Sequence, residues 1–313
     1  MEFVVVSLLN GIVYGLLLFM VSAGLTLIFG MMGILNMAHA SFYMIGAYTG
    51  YAVSLYHYPF VAGVLLATLV AGAIGLIMER YLLRTIHEYG HGHQLMFTFG
   101  FAFVVVEIVK LMFGDFTVSY RAPAALDFSA FKIFGTEFPF YRVLIASVSC
   151  AIFIAIYLVL AKTRIGIVVR AAERLPTMTA ALGHDVGLVF SGVFAAGAAI
   201  AGLAGAIGGA YYPTSPDMAT DFGVIVFVVV VVGGLGSVVG SFWASLLIGV
   251  LTSFVIGTDL SVGSIVTDLG IHIDPAKLGA FGDFNISMLA GAVPFILMLV
   301  VLLVRPMGLM GRQ

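Results

Sequence analysis

From Phe3 to Met78 the chain carries no Asp, Glu, Lys or Arg. About 20 mostly apolar residues suffice to cross a bilayer as a helix, so this block has room for three crossings. Single runs follow at Leu95–Gly114, interrupted by Glu107 and Lys110, and at Val143–Ala161. Val186–Pro216 holds one span with loop ends, and Phe284–Val304 is the last. Phe222–Thr258 fits either two short spans or one span plus a re-entrant piece. The pattern predicts an all-α integral membrane protein, a polytopic bundle of eight or nine transmembrane helices with broken or re-entrant segments.

The few charges orient this bundle, because Lys and Arg near span ends mark the cytoplasmic side. Arg80 and Arg84, then Lys162, Arg164, Arg170 and Arg174, then Arg305 and Arg312 all flank predicted spans. The segments Asp115–Arg142 and Asp259–Asp283 carry seven acidic residues against four basic ones and are expected outside. The C-terminus is then cytoplasmic. Nine crossings place the N-terminus outside and eight place it inside; Glu2 favours outside.

Composition agrees. Of 313 residues, 62% are hydrophobic and 9% charged, against about 25% charged in soluble domains. Thirteen Lys and Arg with 15 Asp and Glu cannot cover a soluble surface of this size. A soluble enzyme, a nucleic-acid binder and a disordered chain are excluded. The single cysteine, Cys150, rules out an internal disulfide and reads as inert packing. The start, Met1-Glu2-Phe3, lacks the basic region of a cleaved signal peptide, so the first apolar run is expected to be retained.

Glycine, with 38 copies, adds architecture. Gly197, Ala201, Gly205 and Gly209 recur every fourth residue, beside a second row of Ala198, Gly202, Ala206 and Ala210. Small residues let membrane helices approach closely, so this helix is expected at the centre. Two glycine-rich breaks stand apart, around Gly30–Gly33 and Gly233–Gly240. One shift superposes Gly30 on Gly233, Gly33 on Gly236 and Gly46 on Gly249, which suggests an internal repeat of 24–50 with 227–253.

Polar side chains at membrane depth are costly and suggest function. Asn36 and His39 are three apart beside the first break. They either cap broken backbone and bond to each other, or line a polar path. Glu107 and Lys110, also three apart, read as a neutralising pair near the outer interface. His87-Glu88-Tyr89-Gly90-His91 matches the H-E-x-x-H zinc pattern, but Gly90 and Gly92 weaken the helix that pattern needs. It reads as a solvated loop, with no metal site. The segment 162–185 is too polar to span. Arg170–Arg174 is helix-forming, Pro176 suits a first helical turn, Gly183 suits a helix end, and the element is placed to dock on a soluble partner.

The run from Gly24 through Phe29-Gly30-Met-Met-Gly33-Ile-Leu-Asn36-Met-Ala38-His39 to Gly46-Ala47-Tyr48 resembles the signature of branched-chain amino acid ABC importer permeases, closest to the H-type (LivH-like) subunit. Gln94–Gly100 with Thr98, Glu107, Thr163–Gly166, Arg170-Ala171, Ala180–Gly183, Ala201–Gly205 and Gly233–Gly240 extend the resemblance along nearly the whole chain. Ala40 stands where the family usually has glycine, and Leu175 where it often has an acidic residue.

The resemblance implies a single transmembrane permease domain over 1–313 in a bacterial plasma membrane, surrounded by lipid. It implies four kinds of company: an M-type permease, two ATP-binding subunits, an extracytoplasmic solute-binding protein and a small solute. That solute is leucine, isoleucine or valine, or else a urea, amide or aromatic acid. The permease itself hydrolyses nothing and binds no cofactor; ATP and Mg belong to the partner subunits, in keeping with the lack of a Walker A sequence. The implied substrate pathway takes Gly30, Gly33, Asn36, His39 and Thr98, at a broken helix near the midplane facing the second permease. Implied ATPase coupling takes Arg170, Pro176, Ala181 and Gly183. A self-sufficient ion- or proton-coupled carrier and, more distantly, an intramembrane zinc protease are the competing readings.

Overall fold

The computed structural model describes residues 2–86, 89–133, 135–258 and 285–311. Among these, seven helical stretches are long and apolar enough to cross a membrane. They are α1 (Glu2–Met32), α3 (Phe60–Ile77, continued by a π-helical turn at Met78–Leu83 as far as Ile86), α4 (His91–Phe113), α5 (Phe140–Lys162), α8 (Val186–Gly208), α10 (Val238–Gly257) and the closing stretch Ile286–Val304, whose α-helical part is α11 (Val293–Val304).

Two apolar helices are shorter. These are α2 (His39–Leu55, 17 residues) and α9 (Met218–Gly233, 16 residues). At about 1.5 Å per residue each reaches roughly 25 Å, short of a hydrocarbon core of about 30 Å. The first follows the Gly30–Gly33 break and the second precedes the Gly233–Gly240 break, which is why the Phe222–Thr258 run is too long for one span and tight for two. Two polar-side helices, α6 (Arg164–Arg174) and α7 (Pro176–Ala181), link α5 to α8. The all-α expectation holds apart from one small antiparallel hairpin, β1 (Ser129–Ile133) with β2 (Thr136–Pro139).

The bundle is built around α8. Both of its small-residue rows are covered: Gly197 faces Gly24 of α1, Gly202 faces Gly46 of α2 and Ala67 and Ala71 of α3, and Gly205 lies against the backbone of Tyr43. Lipid supplies no hydrophobic drive between helices, so close backbone contact and dispersion must supply the association. α1 is buried almost all round from Leu16 to Ile28, with α8 on one side and α10 on another. Gly11 and Gly15 meet Gly249 and Ser245 there, and Thr26 and Ser241 share a hydroxyl bond of 2.9 Å inside the apolar contact. By contrast α4, α5 and α11 leave most of their apolar side chains outward, as lipid-facing helices do. Cys150 is on that outer side of α5, exposed rather than in the packing predicted for it.

The Arg-rich ends gather at one face. There Gly30 lies on Gly236, Arg84 lies on Gly187 at the start of α8, and α6 folds back on the end of α5. The chain's last described residues join them: Leu309 N–H donates to Val232 O at 2.8 Å and Met310 N–H to Gly233 O at 3.0 Å. At the opposite face Tyr120 of the α4–α5 connection and Tyr141 in the first turn of α5 tie down to the end of α8 by donating to Ala206 O and Ile207 O, at 2.9 and 2.7 Å. Gly33 and Gly236, the glycines that the suggested repeat superposes, both take left-handed φ, +65° and +83°.

Candidate functional site

The first break occupies residues 33–38. Gly33, left-handed, closes α1 with its N–H on Phe29 O at 2.9 Å. The chain then climbs towards the centre of the bundle without regular structure, and several of its polar groups find partners. Asn36 Oδ1 accepts the Ala38 N–H at 3.0 Å, and Asn36 O accepts the His39 N–H at 3.2 Å. Met37 N–H donates to Thr98 Oγ1 of α4 at 3.2 Å, and that hydroxyl donates to Leu95 O at 3.0 Å. His39 Nε2 bonds Val21 O at 3.0 Å. A carbonyl only accepts, so Nε2 carries the proton and a neutral ring leaves Nδ1 bare as an acceptor.

The side chains of Asn36 and His39 therefore do not bond to each other, as one reading of their spacing expected; Asn36 satisfies the broken backbone at Ala38, and His39 reaches a carbonyl within α1. They also do not face a second permease. Asn36 is 3% exposed, His39 1% and Thr98 0%, covered by this chain's own helices. The break is not level with the midplane throughout. Gly30 and Gly33 sit at the Arg-rich end, against Gly236 and near the His91 ring, while His39 sits deeper, against Gly24 and so level with Gly197 in the middle of α8. Ala40, where the family usually has glycine, is buried beside Gly223 of α9.

Two polar atoms are left without a partner, Asn36 Nδ2 and His39 Nδ1. Both residues line a closed cavity of about 10 Å³ together with Leu25, Ala40, Gly223 and Phe227. That is space for one water at most, so in this conformation the break holds no solute. An unmet donor and an unmet acceptor beside it are what a polar solute would meet if α9 moved away from α2. Asn36→Ala and His39→Ala should each lower solute uptake about tenfold, the scale of one buried hydrogen-bonding group left unmet. Uptake into proteoliposomes, scored beside recovery of the assembled complex, checks this. Poor assembly with normal specific uptake would make both residues structural caps.

The second candidate element is α6–α7. Thr163 caps α6 by accepting the Gly166 N–H at 3.2 Å. Gly166 is pressed on the last carbonyls of α5, and the Arg170 guanidinium donates to Leu160 O. Arg170 thus anchors the element to α5 and does not point away from it. Pro176 opens α7 at its first turn, and α7 ends at Ala181, earlier than the Pro176–Gly183 helix expected. Gly183 at φ +88° ends the turn, with its own N–H on Ala180 O and the His184 N–H on Thr179 O, a Schellman-type stop. Asp185 then caps α8 by accepting the Leu188 N–H at 3.0 Å. Among the side chains this turn exposes are three large apolar ones: Leu175 60%, Met178 62% and Leu182 81%. The sequence analysis named the turn, and Leu175 only as a departure from the family pattern; it did not single out the three as an exposed apolar set, for which their i, i+3, i+7 spacing between Arg and Asp was the available signal.

The zinc pattern fares differently. His87 and Glu88 lie outside the described residues. Gly90 takes φ +91° immediately before α4 begins at His91, so His91 does not continue a helix running back towards His87. Glu107 is largely exposed on α4 and 3.9 Å from Lys110, which lies 3.2 Å from Asp115. It is a paired group near an interface and not a lone buried carboxylate.

A polytopic helical bundle with a broken helix at its centre and an exposed apolar turn at its Arg-rich face is an architecture suited to a membrane permease. Residues 7–302 match the family described as branched-chain amino acid transport system / permease component, and the chain belongs to that family. It is 26% identical to the "High-affinity branched-chain amino acid transport system permease protein BraD" of Pseudomonas aeruginosa, over 98% of this chain and 95% of that one. It is 25% identical to the "High-affinity branched-chain amino acid transport system permease protein LivH" of Escherichia coli, again over 98% and 95%. A "Probable branched-chain amino acid transport permease protein LivH" of Methanocaldococcus jannaschii is 28% identical over 87% of this chain and 90% of its own length. No solved structure matches. The chain is thus a multi-pass transport component and not an enzyme.

Proposed function

We propose that this chain is one membrane subunit of an ATP-driven importer for branched-chain amino acids or related small amphipathic solutes. It works with an M-type permease, two ATP-binding subunits and an extracytoplasmic solute-binding protein in a bacterial plasma membrane. ATP and Mg are bound by the ATP-binding subunits, and the Arg-rich face with the C-terminus is cytoplasmic. The names of the relatives support the solute class. The observation that carries the assembly is the apolar trio Leu175, Met178 and Leu182 on a capped turn between charged flanks. Large apolar side chains held rigidly in water cost free energy unless a partner covers them.

Opening α9 from α2 would bring Asn36 and His39 to a solute. Both can meet a zwitterion, Asn36 through its amide protons and His39 through its bare Nδ1. The chain tagged at its C-terminus and extracted in mild detergent should bring down an ATP-binding subunit and a second permease. Recovery of the chain alone, with solute uptake driven by an ion gradient and indifferent to ATP, would replace this reading with a self-sufficient carrier.

A further inference from the structure

Among the described residues, Glu79 is the one acidic side chain that the fold buries, at 3% exposed. It continues a visible stripe. Gly63, Ala67, Ala71 and Gly75 are the buried residues of α3, each four from the last, and Glu79 is the next step. Gly72 and Gly75 of that helix pack on Ala199 and Ala198 of α8. An ordinary small residue at 79 would extend this contact; a carboxylate there must instead be bonded, because burying an unmet charge is prohibitive. Ser191 of α8 meets it, Oγ donating to Glu79 Oε2.

The local backbone is adapted to the same contact. α3 becomes π-helical over Met78–Leu83, and π-turns within α-helices are frequent at functional sites. The wider turn brings Glu79 and Arg84, five apart, to one side. Opposite them on α8 stand Ser191 and Gly187, four apart. The Arg84 guanidinium fills the place that a side chain on Gly187 would take, where an added Cβ would stand 2.6 Å from Arg84 Cζ. α3 therefore holds α8 at two successive turns. Those turns follow directly after Gly183 and the Asp185 cap, at the point where the α6–α7 element feeds into α8. Further along the same helix Gly197 abuts Gly24, against which His39 is packed.

We infer that Glu79 with Ser191, and Arg84 over Gly187, form a clasp that makes α3 and α8 move as one body, so that displacement of the α6–α7 turn reaches the central break. Glu79 is a positioning residue in this scheme. The inference rests on the coupling role proposed for α6–α7. Without the clasp, the first turns of α8 yield locally and the motion is lost before the break.

The test uses the whole importer in proteoliposomes and reads solute transported per ATP hydrolysed. Glu79→Ala should lower that ratio about tenfold, the scale expected for losing one buried hydrogen-bonding partner, with ATP hydrolysis within about twofold of wild type. Ser191→Ala should lower it less. Glu79→Gln, which still accepts the Ser191 proton, should restore most of it. Equal falls in hydrolysis and transport, or a wild-type ratio in both alanine variants, overturn the clasp. So does a Glu79→Gln variant as impaired as Glu79→Ala, since the charge itself would then be what matters. If Glu79→Ala does not assemble, Ser191→Ala decides: a lowered ratio supports the clasp and a wild-type ratio overturns it. A wild-type chain that binds no ATP-binding subunit overturns the underlying coupling reading, and the clasp with it; failure of the variants alone leaves that reading standing.

Discussion

Gly205→Ala should all but abolish recovery of folded permease. The position is buried where α8 crosses α2, and an added Cβ would overlap the carbonyl of Tyr43 and stand 2.9 Å from the Ala47 N. Overpacking usually costs about 1–3 kcal/mol because neighbouring side chains can shift. Here the neighbour is backbone, so two helices must part. Parting them also loosens Gly202 from Gly46, whose Cβ would stand 2.6 Å from Gly202 Cα. The expected loss is at the top of that range or beyond it, roughly 3 kcal/mol or more. Gly192→Ala is the matched control. It lies on the same helix, and a Cβ there meets nothing within 4 Å; relative to glycine it should be neutral or stabilise by up to about 1 kcal/mol. Thermal unfolding in detergent, with recovery of the monodisperse species, separates the two. A Gly205→Ala protein as stable as Gly192→Ala would mean that α2 and α8 are not packed through this glycine.

Met178→Asp with Leu182→Asp should leave the isolated permease as stable as wild type and remove ATP-dependent uptake. Both side chains are already mostly outside the fold, at 62% and 81% exposed, so the chain itself loses little packing. Against a partner surface they would be the central apolar anchors, and such anchors typically cost about 2 kcal/mol or more when lost. Two of them, replaced by charges, should weaken association with the ATP-binding subunit by at least about a hundredfold. Gly183→Ala provides a graded companion. It adds little bulk but forces a side chain into a left-handed turn, at about 1–2 kcal/mol, and should reduce coupling without abolishing association. Pull-down of the ATP-binding subunit and uptake, measured on the same preparations, check both. Normal association of the doubly charged variant would show that the turn docks on nothing.

The sequence alone determined which stretches enter the membrane, because each residue's cost of leaving water is a local property and the charge-free runs add it up. It likewise determined the placing of α8, since two rows of small residues serve no purpose except against neighbouring backbone. The Gly33 break, the Pro176 start and the Gly183 stop were legible too, as each rests on one residue's φ preference. Only the tertiary structure decided which surfaces meet. In lipid, apolar faces have no intrinsic reason to turn inward, so periodicity did not reveal that Asn36 and His39 are enclosed by this chain's own helices. The spacing of that pair suggested a mutual bond, yet the Val21 carbonyl of α1 and the unwound backbone N–H of Ala38 take the atoms that bond would need. Glu79 was hidden by its neighbour Arg80, with which it reads as ordinary flanking charge. The stripe from Gly63 to Gly75 pointed to it, but its burial depends on Ser191, distant in sequence and brought there only by the packing of α3 on α8.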